Sequence, residues 1–200
     1  MLRDGNSRFV ADVRSRDTLP SEARRVQLTA GQAPFAAILG CSDSRVPVEI
    51  VFDQGLGDLF VIRVAGNIVA PSQIGSVEFA TERFGTRLVV VLGHSRCGAI
   101  RATLEQLQQP RENQSRNLRS IVELVRPAVE GLLSTNLRND PDALIDQAVR
   151  ANIKASVSQL RHGSEIIERL IQKDGLLVVG AEYSLETGVV DFFDDAAAAA

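Results

Sequence analysis

The stretch LVVVLGHSRCGAI, residues 88–100, decides how the rest of the chain is read. It opens on an unbroken apolar run, Leu88 to Leu92, with no polar alternation. Such a run suits a strand buried on both faces, as in a parallel sheet covered by helices. Gly93 closes the run, and His94 and Cys97 follow at once, in a chain that has only two histidines and two cysteines. Residues 98–107 then carry on as a helical pattern. In open α/β sheets, ligands sit beyond the carboxyl ends of the strands, so the histidine and the cysteine fall where chemistry is expected.

Working outward, three more runs share this character: FAAILG (35–40), LFVIRV (59–64) and LLVVGA (176–181). A fifth, VVDFF (189–193), reads as a strand at the sheet edge. Helical patterns separate the runs. Ile74, Val77, Phe79 and Phe84 supply much of one apolar face, and residues 118–133 and 142–161 repeat near the helical period. Ser164 reads as an N-cap and Gly175 as the stop of the helix between them. The segment 108–117 is polar and loop-like. The predicted fold is α/β: a central, mostly parallel sheet of four strands plus a C-terminal edge strand, flanked by helices. One domain is expected over 1–195, with 1–31 as an N-terminal helical arm and 196–200 as a disordered alanine tail.

Bulk properties narrow the function. The 200 residues carry a net charge of −3, with acids and bases well mixed. No basic stripe points to nucleic acid and no polybasic cluster points to a membrane surface. No apolar stretch approaches the ~20 residues that span a bilayer. The start has no signal-peptide core, although a trimmed export leader would leave no trace. Two cysteines make no disulfide framework, a Cys41–Cys97 bridge being the one pairing open to them, so a reducing, cytoplasmic setting is expected.

The run at 35–40 ends in GCSDSRVP (40–47), which brings a thiol at Cys41, a carboxylate at Asp43 and a guanidinium at Arg45. If the strands at 35–40 and 88–93 are neighbours, Cys41, His94 and Cys97 converge at one sheet end. Two sulfurs and one imidazole are three ligands for Zn²⁺, and three protein ligands with an open fourth position is the arrangement of catalytic zinc. Arg45 can pair with Asp43 and hold it as an acceptor for a proton. The plainer readings are a buried hydrophobic cysteine, a satisfied histidine and an ordinary loop salt bridge. A Cys41 nucleophile with His94 as its base is a further alternative, but it leaves Cys97 unused. GLGDLF (55–60) lacks the last glycine of a dinucleotide-binding loop, and GHSRC (93–97) lacks the last glycine of a nucleophile elbow. His162 sits beside a helix break and reads as a surface residue.

With these residues in view, the chain closely resembles the β-class carbonic anhydrases, in particular the plant-like subgroup that includes bacterial members. CSDSRVP and GHSRCGAI match that family's two zinc-binding motifs, and FDQGLGDLFVIRVAGNIV (52–69) and GSVEFA (75–80) match the segments around and between them. The resemblance implies one Zn²⁺ per subunit on Cys41, His94 and Cys97, and a catalytic dyad of Asp43 and Arg45. It implies reversible hydration of CO2 to bicarbonate and a proton, the carbonate dehydratase reaction. Gly98 matches the glycine whose backbone N–H lies near the bound anion. Gln32 matches a glutamine that hydrogen-bonds substrate. Phe60 and Phe79 match aromatic positions that, with Val64 and Ala65, line an apolar slot for CO2.

In that family Gln32, Phe60 and Phe79 would come from the neighbouring subunit, so a homodimer or a dimer of dimers builds the site. Leu2, Phe9, Val10 and Val13 form an apolar stripe that suits either a partner subunit or the chain's own domain. Phe79 stands where many relatives have tyrosine, Arg83 where some place a proton-shuttling histidine, and Ile38 where the allosteric bicarbonate-binding subgroup has tryptophan. Two other readings share the zinc: hydrolysis of carbonyl sulfide or carbon disulfide, and a closed structural site with Asp43 as fourth ligand.

Overall fold

A computed structural model describes residues 1–15, 18–110 and 115–193. The alanine tail and part of the polar segment 108–117 lie outside the described residues.

Each of the five apolar runs forms a strand: β1 (Ala36–Gly40), β2 (Leu59–Arg63), β3 (Leu88–His94), β4 (Leu177–Tyr183) and β5 (Val190–Phe192). They make one sheet in the order β2-β1-β3-β4-β5. The first four run parallel, and β5 pairs antiparallel with β4 at the edge. The reason for the unbroken apolar runs is visible in β1 and β3. Ala37, Leu39, Val89 and Val91 enter one core, while Ala36, Ile38, Val90 and Leu92 enter the other. Side chains alternate between faces, and both faces are dry, so every position must be apolar.

The two faces are covered unequally. One packs against α4 (Pro71–Arg83), α5 (Gly98–Gln108), α6 (Arg116–Val129), α7 (Pro141–His162) and α8 (Glu165–Lys173), through residues such as Val77, Ile100, Val125, Ile153 and Ile167. The opposite face is covered by α1 (Leu2–Val10) and the short α3 (Val48–Val51), with Leu2, Val48, Val51 and Phe52 buried. A further short helix, α2 (Glu22–Leu28), buries no residue of its own. The predicted caps hold: Ser164 accepts from the Ile167 N–H, and Gly175 takes a φ of 68° after α8.

The helix expected over 118–133 is shorter. The α-helical register ends at Val129 and continues as a 3-10 turn over Glu130–Ser134. Pro127 lies inside the last turn; it has no N–H to donate back to residue 123, which weakens the helix just before it changes register.

The N-terminal stripe divides between its two readings. Leu2 is buried in the chain's own second core, and the Phe9 ring lies 6.3 Å from that of Tyr183. Asn6 fastens α1 by donating to the carbonyls of Val51 and Gly188 and accepting from the Val190 N–H. Val10 and Val13 remain 45% and 59% exposed. Self-packing therefore accounts for half of the stripe and leaves the other half facing outward.

Parallel pairing places the functional segments side by side. Gly40 is in register with Leu92, so Cys41, one residue on, lies level with Gly93 and next to His94. Gly93 leaves room there: a Cβ would lie 2.5 Å from Cδ1 of Ile153 and would force that side chain to shift, so α7 packs directly over the end of β3.

Candidate metal centre

Cys41, His94 and Cys97 come together as three buried side chains whose ligand atoms all lie within 4.8 Å of one another. The two sulfurs are 4.0 Å apart and both cysteines are free. That separation is far beyond the ~2.05 Å of a disulfide, so the bridge left open by the cysteine count does not form. It is close to the roughly 3.8 Å between two sulfurs that each sit ~2.3 Å from one tetrahedral zinc.

His94 supplies the sharper test. Its Nδ1 lies 2.9 Å from the carbonyl oxygen of Ser95, which can only accept, so Nδ1 carries the proton. Nε2 therefore presents its lone pair, and it is fully buried with no hydrogen-bond partner. An orphaned buried acceptor costs about 1–3 kcal/mol. A cation between Nε2 and the two sulfurs removes that penalty, so the residues present fit a metal ion of the zinc type.

The two thiols share one proton between them, Cys41 taking the thiolate side and Cys97 the thiol side. The hydrogen bond from Cys97 draws the Cys41 thiol well below its ordinary pKa against the opposing effect of burial, with His94 and the Gly66 N–H adding to the shift. The same pairing, with burial, pushes Cys97 up. Gly66 N–H reaches Cys41 Sγ at 3.4 Å because the 3-10 turn Ala65–Asn67 doubles back with a φ of 72° at Gly66, a left-handed conformation that suits glycine. Asn152 and Ser156 of α7 hold that turn by donating to the carbonyls of Gly66 and Asn67.

Beyond Cys41, Asp43 and Arg45 form a bidentate pair: Nε to Oδ1 at 2.9 Å and Nη2 to Oδ2 at 2.7 Å, with the Arg45 backbone N–H also donating to Oδ1. The guanidinium holds the Asp43 carboxyl well below the usual carboxylate range. Asp43 Oδ2 lies 3.8 Å from His94 Nε2, at the mouth of the ligand group. Arg63, at the end of β2, donates to the carbonyls of Cys41 at 2.9 Å and Asp43 at 2.6 Å and so fixes the loop that carries both.

Sequence reading missed Arg63, Gly66 and the whole supporting layer of the second loop, in which Ser95 and Arg96 both pair with Glu186. No pattern announces them, because they act through backbone groups or across 90 positions of sequence.

A sequence model described as carbonic anhydrase matches residues 36–190. The chain belongs to the carbonic anhydrase family. A carbonic anhydrase of Mycolicibacterium smegmatis is 40% identical over 192 residues, 95% of this chain and 89% of its own length. The solved β-carbonic anhydrase CafA of Aspergillus fumigatus superposes with a TM-score of 0.76 at 26% identity, covering 85% of this chain and 80% of the other. A tetrameric β-carbonic anhydrase from Sordaria macrospora gives a TM-score of 0.72 at 26% identity over 84% of this chain and 85% of the other.

For a carbonic anhydrase chain, the remaining candidates divide by position. Val64 and Ala65 adjoin the ligand group: the Val64 carbonyl accepts from Ser42 N–H, and Ala65 opens the turn that supports Cys41. Gly98 is exposed at the first position of α5, directly after Cys97, with open space where a Cβ would stand. Gln32 is not brought to the ligand group; it lines a separate groove with Leu28, Leu56 and Gly57. Phe60 and Phe79 form an aromatic cluster with Phe84, and Phe79 is 54% exposed. No helix among the described residues is long and apolar enough to cross a membrane.

Proposed function

We propose that this carbonic anhydrase catalyses the reversible hydration of CO2 to bicarbonate and a proton at one Zn²⁺ per subunit, held by Cys41, His94 and Cys97. The observation that carries the reading is the buried, unpartnered Nε2 of His94 facing two free thiols, with Asp43 locked by Arg45 at the mouth. A zinc ion bound there supplies Lewis acidity that brings the pKa of water from 15.7 to about 7.

The chain's own groups do the rest. Asp43, kept ionised by Arg45, accepts a hydrogen bond from the attacking water and orients its lone pair toward substrate, while the released proton passes to bulk buffer. Val64 and Ala65 offer an apolar wall for CO2, and the Gly98 N–H at the start of α5 meets the charge that develops on its oxygens. Gln32, Phe60 and Phe79 complete the pocket from a second copy of the chain. Two observations support that assignment: within one subunit Gln32 lines a separate groove, and Phe79 leaves half its surface open. A homodimer or a dimer of dimers therefore builds the site, in keeping with the tetrameric Sordaria relatives.

Arg45 satisfies Asp43 at both oxygens, which favours an open catalytic site over a closed structural one. Zinc content and stopped-flow CO2 hydration on one preparation test the reading. We expect close to one zinc per subunit and loss of hydration on chelation. Undiminished hydration by zinc-free protein would overturn it, and faster turnover of carbonyl sulfide than of CO2 would reassign the substrate. Two thiolate ligands neutralise the cation formally, so hydration should rise with pH between about 6 and 9; a flat profile contradicts this electrostatic account.

A further inference from the structure

We propose that Glu186, in the turn between β4 and β5, is a positioning residue that sets the metal-receiving geometry of the His94–Cys97 loop. The proposal rests on the zinc reading above and adds a determinant of metal affinity that lies outside both ligand motifs.

The loop faces a demanding task. Only Ser95 and Arg96 separate the two ligands, and the chain must reverse within them so that Cys97 Sγ faces His94 Nε2. It does so by placing Arg96 at a φ of 54°, in the left-handed region. Such a conformation costs roughly 1–3 kcal/mol at a non-glycine residue and persists only where its surroundings impose it.

Glu186 and its turn supply those surroundings. One carboxylate oxygen of Glu186 accepts from Ser95 Oγ at 2.7 Å and the other from Arg96 Nε at 2.5 Å. Ser95 Oγ in turn accepts from the Leu185 N–H at 3.0 Å, and the Ser95 N–H donates to the Tyr183 carbonyl at 3.0 Å. Ser95 is thus held at its N–H and its hydroxyl, and its carbonyl receives His94 Nδ1–H. The orientation of the His94 ring is therefore passed down from the turn through a single residue. Ser95, the backbone N–H of Glu186 itself and Arg96 hold Glu186 down to about 2, so it stays ionised wherever the protein is folded near neutral pH.

The turn is itself rigid. Ser184 N–H donates to the Val189 carbonyl, and Gly188 N–H to that of Ser184, both at 2.9 Å. Asn6 of α1 donates to the Gly188 carbonyl at 2.8 Å. A continuous set of hydrogen bonds therefore runs from α1 through the β4–β5 turn to the metal loop.

A role confined to stability is a weak alternative. Arg96 and Glu186 are 66% and 45% exposed at their side chains, and an ion pair that open contributes at most about 1 kcal/mol. Its effect should appear in where the ligands point. Metal sites tolerate ligand displacements of only ~0.2 Å, and loss of an outer partner of a ligating histidine typically weakens metal binding about 10–100-fold.

The test is competition for zinc between a chromophoric chelator and full-length wild type, Glu186→Ala or Glu186→Gln, paired with the visible spectrum of each protein loaded with Co²⁺. We expect zinc binding about 10–100-fold weaker in Glu186→Ala. Glu186→Gln, which still accepts from Ser95 but loses the charge facing Arg96, should fall between it and wild type. The cobalt–thiolate bands should shift in the same order, while metal-free melting temperatures stay within about 3 °C of wild type. Zinc affinity within twofold of wild type in both variants, with unchanged cobalt spectra, overturns the proposal. If Glu186→Ala does not fold, Glu186→Gln alone decides, by the same criterion. Wild type that takes up neither metal sinks the zinc reading itself, a result easily told apart from normal uptake by every protein.

Discussion

Residues 41–45 and residues 94–97 meet at the same end of the sheet and contribute to the same Cys–His–Cys group, yet they are held by opposite means. The first loop carries one ligand and the Asp43–Arg45 pair, and a cation secures it: Arg63 donates to two of its carbonyls. No residue in it has a positive φ. The second loop carries two ligands within four residues, and an anion secures it: Glu186 accepts from Ser95 and Arg96, with Arg96 held left-handed. The difference follows from what each must do. A loop that brings one residue to the group can leave its strand in an ordinary conformation and spend its side chains on the Asp43–Arg45 pair. A loop with two must reverse sharply, so its intervening residues are consumed in holding the turn.

Removing a ligand should erase this difference, and it should have the largest effect. Cys41→Ala in the first loop and Cys97→Ala in the second are both expected to abolish zinc binding and to lower hydration about a thousandfold or more. Retained zinc in either variant, measured by metal analysis after dialysis, would remove that cysteine from the ligand set.

The next effect should separate the loops. Asp43→Ala is expected to keep its zinc and lose about 10²–10⁴-fold in hydration, the range for a lost acid–base group. Ser95→Ala, with zinc kept saturating, should retain most of its turnover, because its role is structural. Equal losses of turnover in the two variants would show that proton handling is not confined to the first loop. Arg63→Ala comes next. It strands two carbonyls of the first loop without touching a ligand and should weaken zinc about tenfold, in the chelator competition that tests Glu186. A change confined to turnover, at unaltered zinc affinity, would place Arg63 in the chemistry instead.

A smaller effect lies in acid stability. Asp43 is depressed by Arg45, so its contribution is present above the ordinary carboxylate pKa and is lost as pH falls through the depressed one. Arg45→Ala should therefore lower the melting temperature by about 2–4 °C near neutral pH, with the gap closing as the pH falls toward 2. A gap that widens on acidification would show that another group carries the pH dependence.

The same contrast explains how much of the molecule was legible beforehand. The five strands could be read because a sheet buried on both faces demands apolar residues at every position, and Leu88–Leu92 satisfies that demand without interruption. The meeting of Cys41, His94 and Cys97 could be read because thiols and imidazoles are rare in this chain and all of them but His162 fall at strand ends. The Asp43–Arg45 pair could be read because both partners lie within one loop. Glu186 could not, because turn residues of its type are common and its partners are 90 and 91 positions away. Arg63 was hidden because it binds carbonyl oxygens, which every residue possesses. The split of the N-terminal stripe was equally hidden: a hydrophobic pattern shows that a face is covered, whereas only the fold shows that Leu2 joins Val51 and Phe52 in the same core while Val13 stays mostly exposed.

The smallest effect is the most direct probe of strain in the second loop. At Arg96, glycine would relieve the left-handed conformation, worth about 1 kcal/mol or more. It would also forfeit an exposed ion pair worth up to about 1 kcal/mol and add the backbone entropy of a glycine, roughly 0.5–1 kcal/mol. These terms nearly cancel, so Arg96→Gly should shift the melting temperature of the metal-free protein by no more than about 3 °C in either direction. Arg96→Val keeps neither the ion pair nor an easy route into that conformation, since a branched Cβ crowds the backbone there, and it should melt several degrees lower. The two variants lose the same pair, so the gap between them reads backbone strain less the entropy cost of the glycine. If they melt together, the left-handed turn costs no more than that entropy, roughly 0.5–1 kcal/mol, too little for the second loop to need its neighbours to hold it in place.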